Sequence, residues 1–171
     1  MITEFRKCGK NVKIYPTAKI VNPENLEIGN DVTIGDFCFI NAGRRTVIGD
    51  RSQLNVGAII AGGGETIIGK DVTISYHAII LSGTDTPKGE FMNDARPIER
   101  RAISRGRIIL EDGCFIGANA IICRSKKDIT IGRKAVIGAG AYIDEDVEPE
   151  TIVIPWKHTY TKKRSYNYRN G

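Results

Sequence analysis

At 171 residues the chain falls in the usual range of a single domain and can bury a substantial core without help from disulfides or metals. Hydrophobic residues at 41% and charged residues at 26% are ordinary globular usage, which excludes a disordered chain, and no apolar run approaches the about 18 residues of a membrane-spanning helix. The formal net charge of +5 is local rather than general: much of it lies in Arg96 to Arg107 and Lys157 to Arg169, on a nearly balanced body, so a local anionic ligand is expected and nucleic acid is not.

The N-terminal run from Met1 to Lys7 lacks the apolar centre of a signal peptide, and a cytoplasmic protein is expected. Cys8, Cys38, Cys114 and Cys123 show no CxxC spacing and are expected as small apolar fillers in a reducing compartment. Along the chain one eight-residue phrase recurs from Cys8 (CGKNVKIY), Ile28 (IGNDVTIG), Ile48 (IGDRSQLN), Ile68 (IGKDVTIS), Leu110 (LEDGCFIG) and Ile131 (IGRKAVIG). The copies are 20, 20, 20, 42 and 21 residues apart, with a sub-period of six inside each, as from Ile28 to Ile34. Three short flat sides per coil follow, and the β-branched apolar columns make them strands, not helices. Sides of two or three residues cannot bury their own side chains, so coils must stack at roughly 4.8 Å per layer, with isoleucine ladders inside. A β-sandwich would need longer strands and less regular turns. The recurrent glycines, Gly29, Gly35, Gly49, Gly69, Gly117, Gly132 and Gly138, are expected at tight corners.

The long gap is one coil plus an excursion, Ser82 to Arg107, which is polar, carries both signs of charge and has no repeat. It is expected as a loop with a functional role at about residues 82–107, on a β-helix domain of 1–155 followed by a basic tail of 156–171.

The repeats, the excursion, the phrase Phe115-Ile116-Gly117-Ala118-Asn119-Ala120 and the closing Val136-Ile137-Gly138-Ala139-Gly140-Ala141 together resemble the left-handed β-helix hexapeptide-repeat acyltransferases over roughly residues 8–155. Within that family the chain is most similar to the sugar, galactoside and xenobiotic O-acetyltransferases. The resemblance implies an all-β, left-handed parallel β-helix, a homotrimer, and acetyl-CoA as acyl donor lying in a groove between two subunits, with direct transfer to a sugar or nucleotide-sugar acceptor by O- or N-acetylation. It implies Phe115, Gly117, Ala118, Gly138 and Ala139 along the pantetheine arm, where one backbone amide would stabilise the tetrahedral oxyanion. It places Lys157, Lys162, Lys163 and Arg164 near the coenzyme's phosphates, although Val153-Ile154-Pro155-Trp156-Lys157 departs from the Gly-x-Pro turn that many relatives have there.

The family's usual base is a histidine in a Gly-His-Asp phrase, which aligns with Gly83-Thr84-Asp85, so Thr84 stands where the base is expected and is read as an acceptor contact together with Asn119. His77, outward on the coil leading into the excursion, is the candidate catalytic base, with Asp85 second and His158 in the tail behind it. An amine acceptor that binds deprotonated needs no strong side-chain base. A zinc-dependent hydratase on the same scaffold requires three histidines, and the chain has 2. The competing reading is a trimer that has lost catalysis and binds a ligand or partner.

Overall fold

The computed structural model describes residues 4–124 and 126–155. Lys157, Lys162, Lys163, Arg164 and His158 lie outside them. Within those bounds the chain winds as a parallel β-helix of three sheets. Sheet A stacks Lys7–Cys8, Leu26–Ile28, Arg45–Ile48, Glu65–Ile68, Arg107–Leu110 and Ile129–Ile131. Sheet B stacks Lys13–Ile14, Thr33–Ile34, Gln53–Leu54, Thr73–Ile74, Phe115–Ile116, Val136–Ile137 and Ile152–Val153. Sheet C stacks Lys19–Val21, Phe39–Asn41, Ile59–Ala61, Ile79–Leu81, Ile121–Cys123 and Tyr142–Ile143.

The register follows from the repeat. In sheet B, Ile34, Leu54, Ile74, Ile116 and Ile137 pair rung on rung, and in sheet C Ile40, Ile60, Ile80 and Ile122 do the same, all fully buried. Sheet A supplies Ile28, Ile48, Ile68, Leu110 and Ile131. The core is thus three isoleucine-rich columns with small residues between them. One column of small residues, Val32, Ser52, Val72, Cys114 and Ala135, contains a hydroxyl without penalty, because Ser52 Oγ donates to Gly69 O (2.8 Å) and accepts from the Val72 amide (3.1 Å). Gly117 and Gly138 sit where coils approach closest. A β-carbon on Gly117 would lie 2.5 Å from Ala139 N, and one on Gly138 2.7 Å from Pro155 Cδ.

The cysteine expectation holds for Cys38 and Cys114, buried thiols whose Sγ atoms donate to Asn55 O and Gly132 O, both at 3.1 Å. Burial pushes the Cys114 thiol up to about 11, which leaves it protonated and inert. Cys123 is half-buried, and the expectation fails for Cys8, which is exposed. Cys8 is the ladder equivalent of Ile28 but belongs to the first described coil, with no further coil among the described residues to cover it.

The excursion is more ordered than an irregular loop. Gly83–Asp85 and Ile103–Arg105 pair antiparallel as a two-stranded arm, and a short 3₁₀ turn, Ile98–Arg100, lies near its far end. The arm leaves the helix at the corner between sheets C and A, after Ile79–Leu81.

Because interior side chains meet partners on the coils above and below, truncation in mid-stack is expected to cost more than at the end. Ile74→Ala should lose about 2–5 kcal/mol in urea unfolding, and Ile14→Ala, in the less covered first coil, clearly less.

Candidate active site

Sheets B and C meet at a corner built from one repeated turn. The amides of Ala58, Ala78, Ala120 and Ala141 donate to the carbonyls of Asn55, Ser75, Gly117 and Gly138, at 3.1 to 3.2 Å. The third residue of each turn has positive φ: Gly57 at 73°, His77 at 55°, Asn119 at 57° and Gly140 at 75°. This is the geometry of type II turns, which favour Gly or Asn at that position. Each third residue then donates its amide to the coil below, His77 to Val56 O (3.1 Å), Asn119 to Tyr76 O (2.9 Å) and Gly140 to Ala118 O (2.9 Å). One vertical column therefore carries Gly57, His77, Asn119 and Gly140, about one strand spacing (~4.8 Å) apart.

Two residues expected from sequence to serve the reaction, His77 and Asn119, are thus neighbours on consecutive coils, both exposed. His77 occupies a left-handed conformation that is uncommon for a residue with a side chain. Its ring lies over Gly57: a β-carbon there would overlap Nδ1. Sequence reasoning missed Gly57, whose signal was its place one repeat before His77.

The same turns decide which amides are free for a ligand. Gly117 and Gly138 donate to Ile137 O and Val153 O, both at 2.8 Å, so their amides are spent on the ladder. Among the described residues the amides of Ala118 and Ala139 donate to no group. The amides of Val56 and Tyr76, at the same turn position on the preceding coils, are free in the same way, and the glycines beside Ala118 and Ala139 serve close packing. Phe115, on the outer side of sheet B between Thr73 and Val136, is 43% exposed and adds an apolar wall.

Thr84 and Asp85 are elsewhere. They lie on the arm, at the corner between sheets C and A, and the six residue steps from His77 to Gly83 run along one face, up to about 20 Å of extended chain. The structure therefore does not bring His77 together with Thr84 and Asp85 within one chain. Thr84, Asp85, Lys88, Ile103 and Lys126 line a cleft of about 720 Å³ against the arm.

Asp85 is committed to Arg101, which donates from Nε and Nη2 to its two carboxylate oxygens at 2.9 and 2.7 Å. The hydrogen bonds from Arg101 hold the Asp85 carboxyl below the usual range. A carboxylate so engaged is a poor base, and its role is to brace the arm. Because its folded-state pKa is depressed, that bracing is full above the ordinary carboxylate range and is lost as pH falls through the lowered value. Arg124, with only 11% of its side chain exposed, fastens the root of the arm by donating to Ser104 Oγ at 2.6 Å and pairing with Asp128. Neither arginine was singled out from sequence, since a charge in a non-repeating segment carries no register. Among the described residues no cluster of three or more His, Cys, Asp or Glu side chains is placed to hold a metal.

Comparison with known proteins bears on the same corner. Residues 107–145, which include Phe115, Asn119 and Ala139, match the family model described as the hexapeptide repeat of succinyl-transferase. The chain is 32% identical over 150 residues to dTDP-4-amino-4,6-dideoxy-D-glucose acyltransferase of Escherichia coli, covering 86% of this chain and 77% of that protein. This chain belongs to the hexapeptide-repeat acyltransferases. Among solved structures, this acyltransferase chain is similar to the N-acyltransferase AntD of Bacillus cereus in complex with dTDP and 3-hydroxybutyryl-CoA, at 28% identity and a TM-score of 0.68, over 86% of this chain and 77% of that one. A single-residue variant of AntD with dTDP and coenzyme A gives 29% identity and a TM-score of 0.79, over 86% and 78%. A hexapeptide-repeat acetyltransferase of Vibrio cholerae, 20% identical with a TM-score of 0.58 over 86% of this chain and 68% of that one, shares the fold.

The packing of His77 yields a controlled test. Gly57 and Gly140 have nearly the same positive φ, but a β-carbon on Gly140 meets nothing within 4 Å among the described residues. Gly57→Ala and Gly140→Ala should both lose about 1 kcal/mol of stability to backbone strain. Only Gly57→Ala should shift the His77 imidazole resonances in a proton–nitrogen NMR spectrum.

Proposed function

We propose that this acyltransferase moves an acyl group, acetyl or a short relative of it, from coenzyme A to the amino group of a nucleotide-linked amino sugar. The observation that carries the reading is the corner column, where the His77 imidazole stands one coil from Asn119 beside the free amides of Ala118 and Ala139. The 4-amino sugar acyltransferase activity of the E. coli relative and the N-acyltransferase function of AntD, with its dTDP and coenzyme A ligands, support an amine rather than a hydroxyl acceptor.

The chemistry suits the groups at hand. A neutral amine attacks the thioester carbon, the C–N bond forms, and the carbonyl electron pair moves to oxygen. The amide of Ala118 or Ala139 donates to that oxyanion. Collapse expels the coenzyme thiolate, and the nitrogen gives up a proton, for which His77 is the nearest imidazole on the column. A deprotonated amine is already a competent nucleophile, so His77 assists and is not indispensable. Thr84 at the position of the family's usual histidine accords with this demand. Phe115 and the small residues Gly117, Ala118, Gly138 and Ala139 form the wall along which the pantetheine arm lies.

A homotrimer is part of the proposal. The outward side chains of sheet C, Phe39, Ile59, Ile79, Ile121 and Tyr142, form an apolar strip beside the His77 corner, with Tyr142 59% exposed. Such a strip belongs in an interface, and a neighbour packed there would bring its own residues to the acyl-transfer corner. No described helix is long and apolar enough to cross a membrane. The protonated, unpaired Cys38 and Cys114 suit the reducing cytoplasm, where acyl-CoA is found.

Thiol release with acetyl-CoA should occur with dTDP-4-amino-4,6-dideoxyglucose and not with its 4-hydroxy counterpart. His77→Ala should lower kcat by about ten- to a hundredfold while leaving coenzyme binding intact. Failure of every amino-sugar acceptor, with coenzyme A still bound, would favour the reading of a scaffold that has lost catalysis.

A further inference from the structure

The basic excursion noticed in the sequence has a structural counterpart that the acyl-transfer corner does not use. Arg44, Ile98, Arg101, Ile103 and Arg105 line a cleft of about 430 Å³ between the arm and the corner joining sheets C and A. Three carboxylates nearby are already matched. Asp85 is held by Arg101, Glu65 by Arg45 and Arg107, and Asp128 by Arg124. Arg44 and Arg105 have no carboxylate within 4.0 Å among the described residues. The cleft thus presents two uncompensated guanidinium groups, each able to donate a paired set of hydrogen bonds to phosphate oxygens.

The backbone beneath them is built to match. Ala61-Gly62-Gly63-Gly64 turns this corner with φ of 100° at Gly62 and 71° at Gly63. The Arg105 side chain lies across this turn: a β-carbon on Gly63 would stand 3.1 Å from Arg105 Nε, and one on Gly83 would stand 2.8 Å from Arg105 Cγ. Arg44 is anchored at the same turn by its amide, which donates to Gly64 O at 3.0 Å. The amides of Gly62 and Gly63 donate to no group among the described residues. Glycine amides left free in a positive-φ turn, with arginines above them, form the concave donor set that takes phosphate oxygens. Ile98, 60% exposed, and Ile103 add an apolar wall, which a nucleotide uses and an inorganic anion does not.

We propose that Arg44, Arg105 and the Gly62–Gly63 turn form a diphosphate-binding site that holds the nucleotide-linked acceptor by its diphosphate, at a corner of the coil distinct from that carrying His77, so that across the subunit contact of the proposed trimer the amine faces the His77 corner of the neighbouring copy. This rests on the nucleotide-sugar reading above. Coenzyme A also carries a diphosphate, and the assignment is to the acceptor's, because the free amides and apolar wall suited to pantetheine lie at the other corner. Arg101 positions the site by holding the arm over it and is neutralised by Asp85.

The test is calorimetric titration of dTDP, thymidine, inorganic pyrophosphate and coenzyme A into the full-length wild type, Arg44→Ala, Arg105→Ala and the double variant. All four proteins are first checked for equal unfolding midpoints. Both arginines are exposed, so the fold is expected to survive. Each single change should weaken dTDP by about tenfold or more and the pair should weaken it further. Pyrophosphate binding should be lost in the pair, with thymidine and coenzyme A unchanged. Arg105→Lys should recover only part of the loss, because a point charge replaces a fork. Undiminished dTDP affinity in the double variant overturns the site. So does a loss confined to coenzyme A, which would assign these arginines to the donor, and so does a wild type that binds neither dTDP nor pyrophosphate. The outcome is separable from the acyl-transfer reading. Turnover of the amino sugar with unchanged KM in the double variant sinks the site alone, whereas pyrophosphate binding that depends on both arginines, without turnover of any amino sugar, upholds the site and sinks the acceptor reading.

Discussion

A coil with sides of two or three residues cannot bury anything by itself, and every other feature of this protein depends on that constraint. The side chains of Ile34, Leu54, Ile74, Ile116 and Ile137 find an apolar environment only because equivalent residues lie directly above and below them. Stacking in turn requires that the backbone pass from one side to the next at nearly the same place in every coil. Corners must then be tight, and a fixed set of positions must accept positive φ or tolerate no β-carbon. The isoleucine columns and the glycine corners are two consequences of one requirement.

The same requirement creates the site. A solenoid turns sequence neighbours 20 or 21 residues apart into spatial neighbours, so a groove is assembled by placing suitable residues at one position of consecutive coils. His77 and Asn119 come together in this way across the 42-residue interval that contains the arm. The turn that brings them into line also frees the amides of Ala118 and Ala139, while those of Gly117 and Gly138 maintain the stack. The chemistry proposed for the corner between sheets B and C would thereby be carried by a rigid scaffold. The corner between sheets C and A carries the arm together with Arg44 and Arg105, so the nucleotide-linked substrate proposed above would meet separate environments with its two halves.

How much of this was legible from the chain follows from the same physics. The repeat announced the three sheets and their register, because the spacing of Ile28, Ile48 and Ile68 is the stacking geometry written out. Cys8 was misread as a filler, since the repeat reports a position within a coil but not whether another coil covers it. The pairing of Gly83–Asp85 with Ile103–Arg105 was invisible, since the strands are short, polar and held by specific contacts such as Arg124 to Ser104. Asp85 looked available as a base only while its partner Arg101, 16 residues away, was unknown. The free amides were not legible either: sequence marks Gly117 and Gly138 as small, but only the hydrogen bonds show that the amides of their neighbours Ala118 and Ala139 are free to donate.

The central claim is that acyl transfer takes place at the corner column of His77 and Asn119. A crystal structure of the protein with coenzyme A and dTDP bound tests it most directly. The account predicts the coenzyme sulfur at the corner between sheets B and C, with the pantetheine arm accepting hydrogen bonds from the amides of Ala118 or Ala139 and running past Phe115. A coenzyme whose sulfur lies away from this corner, with the His77 imidazole and both amides still facing solvent, would contradict it.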